Sequence, residues 1–209
     1  MPRSGAKRSN SKAKTVRRRG LLTRREAAEI TGSSISTINK AIEQRVLPVH
    51  REGRQPLLDM DGVALITIFA SSPVRLPVSV KKDVRKWIVS EKPYRGKRLS
   101  ELAVAGGVFV IRCTNEVRDR AEAGERYARD RDRFIVSDPE IFGGAPVIKD
   151  TRLLASAIAR RIDAGDSFEM LQRERPDVPA EAFEAAYRYA KANPQRGRPA
   201  KPWRKQKAA

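Results

Sequence analysis

The stretch Ile135-Val-Ser-Asp-Pro-Glu-Ile-Phe-Gly-Gly-Ala-Pro-Val-Ile-Lys-Asp-Thr-Arg152 carries turn chemistry at two places with apolar residues around it. In Asp138-Pro139 the ring fixes φ, and in Gly143-Gly144 the missing Cβ permits positive φ. Two short extended pieces are expected among those turns. A helical pattern follows, with Leu154, Ile158 and Ile162 at i, i+4, i+8. Gly165 ends that helix and Ser167 caps the next, whose apolar side is Phe168 and Leu171. A last helix carries Phe183, Ala186, Tyr187 and Ala190 at i, i+3, i+4, i+7. Residues 133–193 are therefore expected to form a small three-helix domain.

Asp138-Pro139, Gly143-Gly144-Ala-Pro146, Thr151-Arg152, Gly165, Pro176, Ala185-Ala186 and Tyr189-Ala190 together resemble the domain of unknown function family 433. The resemblance implies the antitoxin half of a toxin–antitoxin pair, of the VapB type, whose toxin is a PIN-like ribonuclease. Two positions depart from the pattern. Asp150 stands where a Gly is usual before Thr-Arg, and Pro179 where a hydroxyl cap is common. Taken singly, Gly143 and Gly144 are turn residues, and Thr151 caps or hydrogen-bonds locally.

The net charge of +19 is concentrated at the ends. Residues 1–20 hold eight Lys/Arg and no acid, and residues 191–209 hold seven Lys/Arg and no acid. The ends carry +15, which leaves +4 for residues 21–190. Such arms seek polyanions or an acidic protein surface. Residues 1–20 have almost nothing to bury and are expected to be a disordered basic arm. No apolar run approaches a membrane span, and no apolar segment follows the first basic residues as in a secretory signal. Cys113 is alone, which excludes a disulfide framework and a thiolate metal site. A cytoplasmic, nucleoid-associated protein is expected, with no cofactor and no membrane partner.

Residues 21–70 read as a DNA-binding unit. Thr23 and Glu26 form a capping box for a short helix that stops at Gly32. Ser34 caps a second helix reaching to about Gln44, with Ile35, Ile38 and Ile42 on one face. Ser36, Thr37, Lys40 and Gln44 lie opposite, flanked by Asn39, and each can reach a phosphate or a base edge. Two short extended arms, 47–51 and 55–58, bracket Glu52-Gly53-Arg54, and His50, Arg51 and Arg54 gather at that tip. Pro56 assigns the second arm to a sheet edge. Asp59 or Asp61 caps a third helix. Helix, turn, helix, basic hairpin and helix make a winged helix-turn-helix. The run from Leu22 to Lys40, with Val46-Leu-Pro48, is similar to the reader domains of MerR and excisionase proteins. That similarity implies that 34–44 enters the major groove while Arg51 and Arg54 touch backbone. The full DNA-binding set is Arg24, Ser34, Ser36, Thr37, Asn39, Lys40, Gln44, His50, Arg51 and Arg54.

Residues 71–132 read as a connector and dimerisation region. Ser71 to Pro77 is a hinge-like break, followed by an amphipathic helix through Val80, Val84, Trp87 and Ile88. A hairpin is expected from 101 to 112, turning at Gly106-Gly107. Residues 115–133 are densely charged, with a narrow small-residue stripe of Val117, Ala121, Gly124 and Ala128. This predicts an exposed helix that covers little core. An approximately symmetric operator needs two readers, so a homodimer is expected.

Residues 194–209 form a basic, Pro-broken tail with three readings. Arg196-Gly-Arg-Pro199 matches the core of an AT-hook, an arm for a narrow minor groove. The antitoxin resemblance implies instead that Arg196, Arg198, Lys201 and Arg204 pair with the carboxylates of a PIN-like active site, Trp203 serving as apolar anchor. A solubilising tail is the third. His50 lacks a neighbouring nucleophile, and Asp130, Asp132, Asp138 and Glu140 lie among arginines and turns, so no enzyme is expected.

The expected fold is mainly α with short β-hairpins (α+β). The expected function is an antitoxin of a type II toxin–antitoxin system that neutralises a PIN-like ribonuclease and represses its own operon. The alternative is a stand-alone DNA-binding transcription regulator without a toxin.

Overall fold

Thr23 nucleates the first helix. Its hydroxyl accepts the Glu26 N–H at 3.2 Å, and the Glu26 carboxylate accepts the Thr23 N–H at 2.7 Å. This reciprocal cap opens α1 (Arg24–Thr31), which stops at Gly32 with φ +67°. Ser34 caps α2 (Ile35–Glu43) by accepting the Thr37 N–H at 3.1 Å. Asp59 caps α3 (Met60–Ser71) through the Gly62 N–H at 3.0 Å. A computed structural model describes residues 19–96 and 100–194, and it is mainly helical with small antiparallel sheets.

Three short strands, β1 (Leu22–Thr23), β2 (His50–Glu52) and β3 (Gln55–Leu58), form one antiparallel sheet in the order β1-β3-β2. Gly53 turns the β2–β3 hairpin at φ +58°. The order corrects the edge assignment of Pro56, because β3 is the central strand. Pro56 faces Arg51 across β2, while β1 ends at Thr23 opposite Leu57. In a two-residue hairpin the Arg51–Pro56 pair exchanges no hydrogen bonds. The missing N–H therefore points to the side where β1 has already ended.

The chain continues through α4 (Val78–Glu91), a 3-10 turn (Pro93–Arg95) and a hairpin of β4 (Ser100–Val104) and β5 (Phe109–Cys113). Val104, Ile111 and Cys113 turn inward beside α3 and α4. Next comes α5 (Asn115–Phe134), and it overturns the expectation of an exposed helix. Val117, Ala121, Gly124, Tyr127, Ala128, Arg131 and Phe134 are all buried, and α5 packs on α1, α3 and α8 (Ala180–Ala192). The small residues are what permit this. A Cβ on Gly124 would stand 2.8 Å from the Met60 sulfur, so the narrow stripe is a place of close helix approach.

Two cores result. The larger runs from Leu22 through α3, α4, the β4–β5 hairpin and α5, and takes in Ala192. The smaller lies between Phe134 and Ala186. There β6 (Ile135–Val136) pairs with β7 (Val147–Ile148), followed by α6 (Ala155–Asp163), α7 (Phe168–Glu174) and α8. Ser167 caps α7 through the Met170 N–H at 3.2 Å. Thr151 Oγ1 donates to the Ile148 carbonyl and accepts the Leu153 N–H. Asp150 takes φ +60°, the left-handed region that the expected Gly would occupy without strain. Pro179 starts α8 with no side-chain cap. Among the described residues no helix is long and apolar enough to cross a membrane.

Candidate nucleic-acid interface

The inner face of α2 anchors it: Ile38 and Ala41 are buried, Ile42 is half-buried, and Ile35 in the first turn is exposed. The outer face presents Ser36, Thr37 and Lys40 to solvent. Ser34 is also exposed, but its Oγ is committed to the cap and lies 2.9 Å from Thr37 Oγ1. Arg24 Nη1 donates to Asn39 Oδ1 at 2.6 Å, so these two half-buried side chains act as a pair that ties α1 to α2. Arg51 and Arg54 flank the Gly53 turn and are exposed. His50 Nε2 lies 2.9 Å from Asp59 Oδ2, which fixes the ring against the start of α3 rather than at the hairpin tip. Gln44 is half-buried, and its Oε1 is enclosed without a hydrogen-bond partner.

Gln44 borders a feature that the sequence did not disclose. The connection between α3 and α4 folds back against the end of α2, and an open cleft of about 590 Å³ lies between them. Lys40 and Gln44 line it from α2, Arg75 from the connection and Lys81 from α4. The Lys81 ammonium sits above the Phe69 ring at 5.4 Å. Burial pushes its pKa below the usual lysine value, and the Arg75 and Lys40 charges push it further the same way. Three cations thus crowd one rim beside the exposed face of α2. An anion placed there would relieve that repulsion and raise the Lys81 pKa. Arg75 and Lys81 frame the Pro77 break in sequence, but nothing local ties them to Lys40.

Arg196, Arg198, Lys201, Trp203 and Arg204, the expected toxin-binding set, lie outside the described residues. Among the described residues no group of three His, Cys, Asp or Glu is placed to hold a metal ion. Cys113 is buried in the larger core, where desolvation raises its thiol pKa and keeps it protonated.

From β6 into α8, the hairpin, its strained turns and the helices behind them form one continuous segment. Residues 135–190 match the family model described as Protein of unknown function (DUF433). The DUF433 segment contains Asp150 and Thr151 as well as the whole of α6 and α7. The chain is also 27% identical over 188 residues to the uncharacterized protein y4eO of Sinorhizobium fredii (strain NBRC 101917 / NGR234). That similarity covers 85% of this chain and 84% of the relative, so it extends well beyond the DUF433 segment. No solved structure matches the chain.

Proposed function

We propose that this chain is a DNA-binding repressor that also serves as an antitoxin. In this reading residues 21–70 act as a winged helix-turn-helix. Ser36, Thr37 and Lys40 of α2 read base edges in the major groove, and Arg51 and Arg54 hold backbone from the hairpin. The observation that carries it is the convergence of Lys40, Arg75 and Lys81 beside the exposed polar face of α2. A phosphate flanking the groove supplies the charge that this rim lacks. Arg75 and Lys81 thereby join the contact set, Arg24 and Asn39 set the angle between α1 and α2, and His50 supports the hairpin through Asp59.

The test is a footprint on the DNA upstream of the chain's own reading frame. Thr37→Ala with Lys40→Ala is expected to abolish the specific footprint, leaving weak salt-sensitive binding. An unchanged footprint in that double variant defeats the assignment.

The second half of the proposal is that the DUF433 segment binds and silences a PIN-like ribonuclease, so that one chain couples toxin to promoter. What supports it is the family match at 135–190 together with the antitoxin role that the resemblance implies. Growth should arrest when a neighbouring reading frame is induced alone and recover when this chain is induced with it. Arrest without rescue leaves the stand-alone regulator.

A further inference from the structure

Lys40, Arg75 and Lys81 bring three positive charges to one cleft, and among the described residues no Asp or Glu forms an ion pair with any of them. Basic side chains elsewhere on the body are not left so: Lys92 has the Asp61 carboxylate at 3.5 Å and Arg95 that of Glu125 at 3.3 Å. Lys40 and Arg75 are exposed while Lys81 is half-buried, so the positive charge runs from the mouth of the cleft inward. Leu76, Pro77 and Val78 complete the wall. The volume of about 590 Å³ falls within the range of small-molecule sites, roughly 300–1,000 Å³.

A single DNA backbone phosphate does not fill this arrangement. A phosphodiester brings one negative charge and leaves two of the three cations unmatched. A phosphomonoester brings about −1.5 to −2 at pH 7, and its one organic substituent can lie along the Leu76–Val78 wall. Gln44 adds a second requirement. Among the described residues its side chain makes no hydrogen bond, and Oε1 is enclosed. This half-buried amide can therefore turn into the cleft without losing a partner, and there it accepts from a hydroxyl. The phosphodiester backbone of DNA carries no hydroxyl to offer it.

We propose that the cleft between α2 and α4 binds a free phosphomonoester of a small polyol, and that this ligand displaces the DNA backbone from the rim. Lys40, Arg75 and Lys81 hold the phosphate, and Gln44 meets a hydroxyl. The displacement rests on the DNA-binding reading; the binding of the ligand does not. Both occupants draw on the same three cations, so each weakens the other by the same factor.

Glycerol 3-phosphate, dimethyl phosphate and glycerol are titrated into the full chain at constant ionic strength, and the backbone amide shifts of residues 75–81 are followed. Glycerol 3-phosphate should saturate those shifts, with affinity about 10-fold or more above the diester, and glycerol should leave them unmoved. Arg75→Ala and Lys81→Met should each weaken it about 10-fold or more. Lys86→Met removes the same charge from an exposed position of α4 outside the cleft and should change nothing. Shifts that never saturate, equal affinity for the diester, or an equal loss in Lys86→Met each overturn the site. Saturating glycerol 3-phosphate should then weaken the footprint upstream of the chain's own reading frame about 10-fold or more, which glycerol should not. A saturable site with an undisturbed footprint overturns the displacement. No footprint in the absence of ligand defeats the DNA-binding reading and the displacement with it, while the amide shifts still decide the site.

Discussion

Arg161 shows how one side chain can set the acid response of a segment. Its guanidinium donates to Asp166 at 2.6 Å and to both oxygens of Glu174 at 2.5 and 2.8 Å, clamping the end of α6 to the end of α7. Those hydrogen bonds hold the Glu174 carboxyl below the usual range. Arg175 does the same to Asp177 at the exit of α7. A carboxyl whose folded pKa is depressed adds stability above its unfolded pKa, near 4.3 for Glu, and loses it as pH falls through the folded value. Glu174 and Asp177 are exposed, and Arg161, Asp166 and Arg175 are half-buried at the surface, so the effect is local and screened by salt. Protection of the amides of residues 168–174, taken relative to the intrinsic exchange rate at each pH, should therefore fall in a distinct step as pH is lowered below about 4. Arg161→Met should raise exchange at neutral pH and remove most of that step. If the substituted chain keeps the step unchanged, the clamp is not its source.

At the scale of elements, what could be read in the sequence was what depends on neighbours along the chain. Thr23 with Glu26, Ser34, Asp59 and Ser167 announce helix starts because a cap reaches only two or three residues forward. Gly32 and Gly165 announce ends because the left-handed φ they supply is local. The Gly106-Gly107 hairpin and the β6–β7 pieces follow for the same reason. What could not be read was whatever depends on partners far away in the chain. α5 looks exposed because most of its residues are charged, yet Arg131 and Glu26 lie 105 positions apart and neutralise each other inside. A stripe of Ala and Gly gives little apolar signal, but it is the surface against which a neighbouring backbone can come closest. The edge rule fails at Pro56 because it counts strands and not where each strand ends. The rim of Lys40, Arg75 and Lys81 leaves no local signal, because these residues line one cleft only after α3 has turned the chain back.

For the whole molecule, α5 and α8 decide whether the two cores behave as one. α8 contributes Phe183 and Ala186 to the smaller core and Ala192 to the larger, and α5 supplies Phe134 to one and Val117, Ala121 and Ala128 to the other. Glu26 is the joint between them. It caps α1, accepts from Tyr127 at 2.9 Å and Arg131 at 3.0 Å on α5, and receives Asn193 from the end of α8. Burial and the Glu26 charge together push the Tyr127 phenol well above its usual pKa, which keeps it a donor. The larger core, fastened this way to the DUF433 segment, cannot open independently, so the two cores should unfold together. Amides of α3 and α6 should accordingly report the same free energy of opening under mild denaturant. Glu26→Ala leaves the Arg131 guanidinium buried against fewer negative charges and removes half of the capping box. The expected cost is about 3–5 kcal/mol, with the α3 and α6 amides now opening at separate free energies. Glu26→Gln keeps an acceptor for Tyr127 and should fall between the two. Equal losses in both cores with no separation would mean that apolar contact between α5 and α8, and not the charge at Glu26, carries the coupling.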